Sequence, residues 1–391
     1  MENPLLELQE YENLQEALKK AKGPVQATGT LDSQKVHLMY WLGKDGGFPW
    51  KLVVTYDDQR AREIYDDFRS FTENVWLYPA KDLLFYSADI HGNLMTRQRI
   101  AVWRHLMEEE EGVVVTTLDG LMDHLLPLVF LKQQAVTVEN GQIMDLDEWK
   151  ERLTALGYER TAQVDGMGQF SIRGGIVDIF PLTEEVPVRI ELWDDEIDSI
   201  RSFDPESQRS VEQLEKITIY PAAETILTKK QLEAGIERLE KEEKEYEAAL
   251  RAKHQIEEAS RIRGIIKELT EGIAQGWKRD GLDAYIRYFC PETVSFLDYF
   301  PAGDTLVCLD EPARLKDKGE TVEQEFRESM IHRLEKGYLL PGQTELLYAG
   351  AQVLAKLQSP YTVMLTGLDQ KLPGMKVKEK FSFDVRNVNS Y

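Results

Sequence analysis

The chain has 391 residues, of which 42% are hydrophobic, and its 47 Lys and Arg against 69 Asp and Glu give a formal net charge of -22. This length predicts two or three domains with buried cores, and the negative charge argues against a surface that binds phosphate backbones regardless of sequence. Two cysteines, Cys290 and Cys308, a polar N-terminus and the lack of an apolar run of ~20 residues predict a soluble cytoplasmic protein without disulfides, signal peptide or membrane span.

Strand and helix patterns alternate over the first part of the chain. Leucines at helical spacing predict a helix over residues 5–22, which ends at Gly23. Short apolar runs then predict strands, and amphipathic stretches between them predict helices. The strands are expected at 24–28, 51–56, 75–78 and 112–117, and the helices at 31–42, 59–71 and 95–107. This alternation predicts a parallel sheet of the α/β class.

The turn after the first strand is where such a fold would hold a phosphate group. A phosphate-binding loop needs the pattern Gly-x-x-x-x-Gly-Lys-Ser/Thr, because backbone N–H groups close on the phosphates and the lysine neutralises them. In that frame Gln26 and Leu31 replace the two glycines, and Asp32 stands where the lysine should be, just before Ser33. The sequence therefore predicts a nucleotide-binding fold that has lost its nucleotide.

From about residue 129 the pattern changes to strands. A short strand at 135–139 is followed by a helix that Asp145 caps, with Glu148 placed as in a capping box and Gly157 as the stop. Further strands are expected at 158–164, 168–180, 186–193, 196–203 and 214–220, with a tight hairpin at residues 194 and 195. This region is predicted to be an α+β insert of roughly 90 residues, which is an ordinary domain size.

Within the insert, Arg173 directly precedes Gly174 and Gly175, which predict a kink or bulge in the strand over 168–180. A second arginine, Arg160, lies upstream. One interpretation is a β-hairpin domain with solvated arginines. The other is an arginine-and-aromatic patch on a rigid sheet, which is the usual composition of a protein-binding hot spot.

After the insert, residues 228–275 are helical and highly charged, which is typical of a solvated helix that connects two units. The α/β pattern then returns, with strands expected at 305–310, 361–366 and 375–383 and helices at 321–336 and 342–357. Residues 383–391 carry no stop signal, so the chain is expected to continue into a longer protein.

Asp310 and Glu311 follow a buried strand, where a Walker-B acid pair would hold Mg²⁺ and nucleotide. Acids at a strand end are plausible metal ligands, but without the lysine loop there is no phosphate to share the metal, so the pair is predicted to be a relic. The histidines and cysteines show no metal-binding spacing. We therefore expect no cofactor, no metal and no catalytic residues.

Three segments carry a family resemblance: residues 157–181, residues 191–204 and residues 296–311. In this order they resemble the UvrB-homology module at the N-terminus of the bacterial transcription-repair coupling factor family (Mfd), and the likeness runs over essentially the whole chain. UvrB itself shares the module but keeps an intact phosphate loop and an aromatic hairpin that clamps damaged DNA. Residues 79–86 lead directly into a helix and leave no room for that hairpin.

The resemblance implies a degenerate P-loop, RecA/helicase-like parallel sheet that is built from two chain segments and interrupted by the α+β insert. The implied units are 1–128 (first helicase-like segment), 129–225 (UvrA-binding insert), 226–275 (charged helical connector) and 276–391 (second helicase-like segment).

It also implies a function in nucleotide excision repair, in which the insert binds UvrA, the damage-recognition ATPase, and recruits it to a stalled RNA polymerase. The residues that match the UvrA-contacting pattern are Arg160 and Arg173, while a third arginine of that pattern corresponds to Ser171 here. Phe170 and Phe180 would accompany them, although Phe180 is equally well explained as a core residue of its strand. The chain itself would have no ATPase activity.

The full-length parent is implied to be an ATP-dependent translocase that binds RNA polymerase and double-stranded DNA through further domains, which could also mask the arginines. The alternative function is a UvrB-like, ATP-dependent helicase subunit that binds DNA damage. It requires nucleotide binding at residues 26–33, which the loop sequence argues against.

Overall fold

The secondary structure is known for residues 3–81, 91–275 and 281–383, which a computed structural model describes. The α-helices are α1 Gln9–Lys19, α2 Asp32–Gly46, α3 Asp58–Phe68, α4 His91–Glu108, α5 Leu128–Gln134, α6 Leu146–Ala155, α7 Lys229–Ala252, α8 Ile256–Ala274, α9 Ile286–Phe289, α10 Pro312–Glu335 and α11 Gly350–Leu357. The strands are β1 Val25–Thr28, β2 Trp50–Thr55, β3 Val75–Tyr78, β4 Gly112–Thr117, β5 Val136–Glu139, β6 Glu159–Arg160, β7 Gln169–Arg173, β8 Ile176–Ile179, β9 Val188–Trp193, β10 Glu196–Phe203, β11 Ser210–Leu214, β12 Lys216–Ile219, β13 Thr305–Asp310, β14 Thr362–Thr366 and β15 Glu379–Ser382. Short 3₁₀ turns occupy Pro4–Glu7, Asp119–Leu121, Leu282–Tyr285, Phe296–Tyr299 and Pro341–Glu345.

The largest sheet has seven strands in the order β15-β1-β14-β13-β2-β4-β3, and all neighbouring strands run parallel. Its central strands are continuous apolar runs such as Val113–Val115, which suit a sheet that is buried on both faces. Four of these strands, β1 to β4, come from the start of the chain, and the other three, β13 to β15, come from its end. The predicted α/β class with a parallel sheet is confirmed.

Helices cover both faces of this sheet. Successive residues of a strand point to opposite faces, and accordingly Val53 and Val54 of β2 belong to different core clusters. On the side of Val53 lie α1, α2 and α3, and on the side of Val54 lie α4, α10 and α11.

A second sheet has six strands in the order β11-β10-β9-β8-β7-β6. Its pairs are antiparallel except for β6, which runs parallel to β7. One face carries apolar side chains that join the main core, including Phe170, Val177, Ile190 and Ile200. Strands β5 and β12 pair separately as a two-stranded ribbon.

The glycine pair at residues 174 and 175 is the turn of a hairpin and not a kink within one strand. Arg173 at the end of β7 pairs with Ile176 at the start of β8. Gly174 has φ 60°, a left-handed conformation that side chains disfavour. The predicted single strand over 168–180 is therefore two antiparallel strands.

Several helical regions also differ from their predictions; the helix expected over 342–357, for example, begins only at Gly350, after the 3₁₀ turn Pro341–Glu345. Helix α10 begins at Pro312, well before residue 321, because proline at the first helical position already has the required φ. The charged region 228–275 forms two helices, α7 and α8, with a turn at His254, whose φ is 61°.

Two predictions concern residues that the structure does not cover. The lack of room for an aromatic hairpin depends partly on residues 82–86, and the expected continuation of the chain depends on residues 384–391. Both stretches lie outside the described residues. Among the helices of the described ranges, none has the length and apolar character needed to cross a membrane.

Candidate functional site

The outer face of the six-stranded sheet carries a row of charged side chains, which begins at the β7–β8 hairpin. The buried carboxylate of Asp178 accepts hydrogen bonds from Nη2 of Arg173 at 2.6 Å and from Nε and Nη2 of Arg189 at 2.7 and 2.9 Å. The hydrogen bonds to Asp178 raise the pKa of the Arg189 guanidinium above its ordinary value. The Arg173 side chain is 46% exposed, so its guanidinium is accessible to a partner while a buried acid fixes its position.

The row continues across the next strands. Arg189 pairs with Asp178 on one side and with Arg201 on the other, and Arg201 forms an ion pair with Glu191. The hydroxyl of Ser199 donates a hydrogen bond to the same Glu191 carboxylate at 3.2 Å. Because directly paired residues of antiparallel strands point to the same face, the arginines and the carboxylates of Asp178 and Glu191 lie side by side on this face of the sheet.

The second predicted arginine, Arg160, is exposed on the edge strand β6. It pairs with Phe170 of β7 in the parallel register. The structure therefore brings Arg160 and Arg173 onto adjacent strands of one sheet.

The other three predicted contact residues, Phe170, Ser171 and Phe180, are buried. Phe170 points into the main core, opposite to the charged face. Ser171 donates a hydrogen bond to the carbonyl of Ala162 at 3.0 Å, beneath the loop that connects β6 to β7. In this conformation none of the three offers its side chain to a partner.

Phe180 instead belongs to a small apolar cluster with Val164 and Phe203. The guanidinium carbon of Arg189 lies 4.5 Å from the ring centroid of Phe203, a cation–π distance. The cluster thus supports the charged row from below.

Reasoning from the sequence missed the roles of Asp178, Arg189 and Arg201. The alternation over residues 188–191 could have located Arg189, since Val188 and Ile190 point inward and the residues between them must point outward. The pairing of Asp178 with both arginines depends on strand register, which the alternation alone does not give.

A second cluster lies at the carboxyl edge of the parallel sheet, where a fold of this class would hold a nucleotide and where the sequence predicts that the site has been lost. Nζ of Lys35 lies 2.6 Å from Oδ1 of Asp310 and 2.7 Å from Oε1 of Glu311. Oδ2 of Asp310 accepts hydrogen bonds from Thr55 Oγ1 at 2.9 Å and from Arg60 Nε at 3.2 Å. The acid pair is therefore neutralised by cations of the chain itself.

Glu311 also binds the backbone. Its Oε1 accepts a hydrogen bond from the N–H of Gly367 at 2.8 Å, and its own backbone has φ 51°, an uncommon left-handed conformation for glutamate. The loop frame in the sequence placed Asp32 at the lysine position, but Asp32 begins α2, and Lys35 one turn later is the residue that reaches the acids. Within the described ranges, no group of three His, Cys, Asp or Glu residues could hold a metal ion.

Comparison with known proteins shows which family this chain resembles. Residues 136–224 match the UvrB interaction domain. Over 311 residues, 79% of this chain, the sequence is 33% identical to the transcription-repair-coupling factor of Bacillus subtilis. The corresponding factors of Staphylococcus haemolyticus and Staphylococcus epidermidis are each 30% identical over 78% of the chain. The chain is a relative of the transcription-repair-coupling factors. The resemblance predicted from the sequence is thus confirmed.

The chain spans 26% of the length of these coupling factors. The part that matches the UvrB interaction domain contains β5 to β12 and therefore the whole charged face with Arg173, Arg189 and Arg201, as well as Arg160 on the edge strand β6. The cluster of Lys35 with the acid pair lies outside that match.

Proposed function

We propose that this chain is a protein-docking module of transcription-coupled nucleotide excision repair, which binds UvrA and so recruits it to a stalled RNA polymerase. The observation that carries the proposal is the exposed Arg173 guanidinium, held by the buried Asp178 on a sheet face inside the UvrB interaction domain match. A guanidinium offers a planar fork for a partner carboxylate. An arginine whose orientation is already fixed also loses less conformational entropy on binding.

The same proposal assigns a role to each part of the chain. Residues 1–128 and 276–391 would form one helicase-like unit, residues 129–225 the UvrA-binding insert and residues 226–275 its helical connector. RNA polymerase and double-stranded DNA would be bound by other parts of a longer protein, and ATP-driven translocation would belong to those parts. The separation of the seven-stranded sheet from the six-stranded sheet, and the long helices α7 and α8, support this division.

Titration of UvrA onto the purified chain tests the proposal. We expect the natural sequence to bind, and charge reversal by Arg173→Glu to weaken binding more than tenfold, or about 1.4 kcal/mol, because a carboxylate would then face the carboxylate it should bind. Arg160→Glu tests the edge strand without disturbing Asp178. The matched control is Arg327→Glu, which reverses an exposed arginine on α10, far from the insert in the sequence.

The outcomes separate clearly. If the natural sequence does not bind UvrA, the proposed partner is wrong. If the double variant Arg160→Glu, Arg173→Glu binds as tightly as the natural sequence, these arginines are not in the interface. Equal weakening by Arg327→Glu would indicate a general charge effect, which increases at low salt.

We also propose that the module has no ATPase of its own. The support is Lys35, whose ammonium group occupies the position beside Asp310 and Glu311 that Mg²⁺ and phosphate would need. Isothermal titration with Mg·ATP is expected to show no micromolar binding, with UvrA as the positive control. Clear micromolar binding would favour the alternative of a UvrB-like helicase subunit.

A further inference from the structure

Two large apolar side chains are exposed at one end of the six-stranded sheet, on either side of Glu196. Trp193 is 81% exposed and Ile143 is 67% exposed. Glu196 pairs with Trp193 across the β9–β10 hairpin and with Ile143 on its other side. Directly paired residues of antiparallel strands point to the same face, so the row reads apolar, acidic, apolar across three neighbouring backbones.

This row belongs to the same face as Arg173. Trp193 ends β9 two residues after Glu191, and residues two apart in a strand share a face. Glu191 pairs with Ile176, which in turn pairs with Arg173. The backbone N–H of Leu192 donates a hydrogen bond to the carbonyl of Gly175 at 2.8 Å, which holds the tips of the two hairpins side by side.

Leaving a tryptophan in water forgoes a large amount of hydrophobic stabilisation, since a buried Trp removes roughly 150–250 Å² of surface from water. Single exposed apolar residues are ordinary, but neighbouring ones within a polar rim mark interaction sites. Trp and Arg are also the residues most enriched among the energetically dominant contacts of interfaces.

The surroundings of the tryptophan indicate the chemistry of its partner. Asp194 and Asp195 form the hairpin turn next to Trp193, and Glu196 follows them, and all three are exposed. Charged groups across an interface are arranged so that opposite signs meet. A partner surface that receives Trp193 therefore needs an apolar pocket with lysine or arginine side chains at its rim.

We propose that Trp193 and Ile143 form the apolar centre of the docking face whose charged edge is Arg173, and that they enter a basic-rimmed apolar pocket of the partner. This inference rests on the proposed function, because the partner it assigns is UvrA. It adds the residues that supply most of the apolar contact and the type of pocket that receives them.

The experiment compares UvrA binding by the natural chain, Trp193→Ala, Ile143→Ala and the control Leu368→Ala. Leu368 follows β14 and is 78% exposed, so its truncation removes a comparably exposed apolar group from the other sheet. We expect Trp193→Ala to weaken binding at least thirtyfold, Ile143→Ala about tenfold and Leu368→Ala less than twofold. Because these side chains are exposed, the melting temperatures of all four proteins should agree.

A second pair of variants tests the charge of the rim. Trp193→Phe should recover much of the affinity, since it restores an aromatic anchor, whereas Trp193→Lys should bind more weakly than Trp193→Ala because it brings a positive charge to a basic rim. The double variant Asp194→Lys, Asp195→Lys should lower the association rate and the dependence of that rate on salt. If Trp193→Lys binds more tightly than Trp193→Ala, the rim of the partner's pocket is not basic and this part of the proposal is wrong.

The two proposals fail in different ways. If the natural chain binds UvrA and Trp193→Ala binds equally well, the inference is wrong and the proposed function stands. If the natural chain does not bind UvrA, the proposed function is wrong and this assignment of the pocket fails with it.

Discussion

At the scale of single residues, Lys35 is the side chain that most changes how the carboxyl edge of the parallel sheet should be understood. Its ammonium group lies between two carboxylates and its side chain is almost completely buried. A buried charge is tolerated only where it is paired, since desolvation without a partner costs several kcal/mol. Lys35, Arg60 and Asp310 therefore depend on one another.

Replacing Lys35 with methionine should destabilise the fold. The substitution keeps the length of the side chain but leaves Glu311 without a cation and Asp310 with Arg60 alone. Breaking a buried pair in this way is expected to lower the free energy of unfolding by about 3–5 kcal/mol. Urea-induced unfolding, followed by circular dichroism, measures the change.

The control for Lys35→Met is Lys316→Met. Lys316 pairs with Glu320 one turn along α10, and both side chains are exposed. Exposed pairs of this kind contribute only about 0.3–0.5 kcal/mol, so this substitution should hardly shift the unfolding curve. Equal losses for the two variants would show that the cluster around Lys35 is not a coupled unit.

At the scale of elements, the long helices α7 and α8 contain two glycines in opposite surroundings. A Cβ atom added at Gly235 in α7 would lie 2.0 Å from Cδ1 of Phe289, which packs directly on the helix backbone. A Cβ at Gly264 in α8 would meet nothing within 4 Å. The first glycine is needed for close packing between helices, while the second serves no purpose that the packing shows.

Alanine at these two positions should therefore change stability with opposite signs. Gly264→Ala is expected to stabilise by about 0.4–1 kcal/mol, because alanine restricts the unfolded chain and favours helix. Gly235→Ala gains the same helical preference but must displace Phe289, and overpacking of this kind costs about 1–3 kcal/mol. Thermal unfolding of the two variants compares them directly. Stabilisation by Gly235→Ala would mean that Phe289 moves aside easily.

Some of the strands and helices could be predicted from the sequence, and others could not. Strands such as β4 and β13 were located correctly, because apolar runs bounded by polar residues depend on local sequence alone. The parallel class followed from their alternation with helices. The hairpin turn at residues 174 and 175 was missed, since two glycines suit a bulge, a kink and a turn equally well.

Side-chain partners were predicted less well, because they depend on residues that are distant in the sequence. Lys35 meets Asp310 across 275 positions, and no local pattern connects the two. The family pattern predicted Arg173 as a contact residue, which stays a prediction. Its buried partner Asp178 and the burial of Phe170, Ser171 and Phe180 became visible only with the structure.

At the scale of the whole molecule, the charge of one local surface differs from the net charge of the chain. The formal net charge is -22, but three arginines, Arg173, Arg189 and Arg201, lie together on the outer face of the six-stranded sheet with Asp178 and Glu191 beside them. Local fields of this kind guide encounter with a charged partner even when the total charge would repel a nucleic acid.

The position of β1 in the parallel sheet has a consequence for synthesis on the ribosome. Val25 in β1 pairs with Val363 in β14 and with Glu379 in β15, so both neighbours of this strand are translated near the end of the chain. At ~5–20 residues per second, β1 emerges roughly 20–70 s before its first neighbour. During that time its backbone N–H and C=O groups are unpaired on both sides.

The insert sheet is under no such delay, since β6 to β11 find all their neighbours between residues 159 and 214. A nascent chain can therefore complete the six-stranded sheet, and with it the proposed docking face, while the parallel sheet still lacks β13, β14 and β15. In the cell, the partially translated molecule that meets chaperones would be one whose proposed docking face is formed and whose parallel sheet is still incomplete.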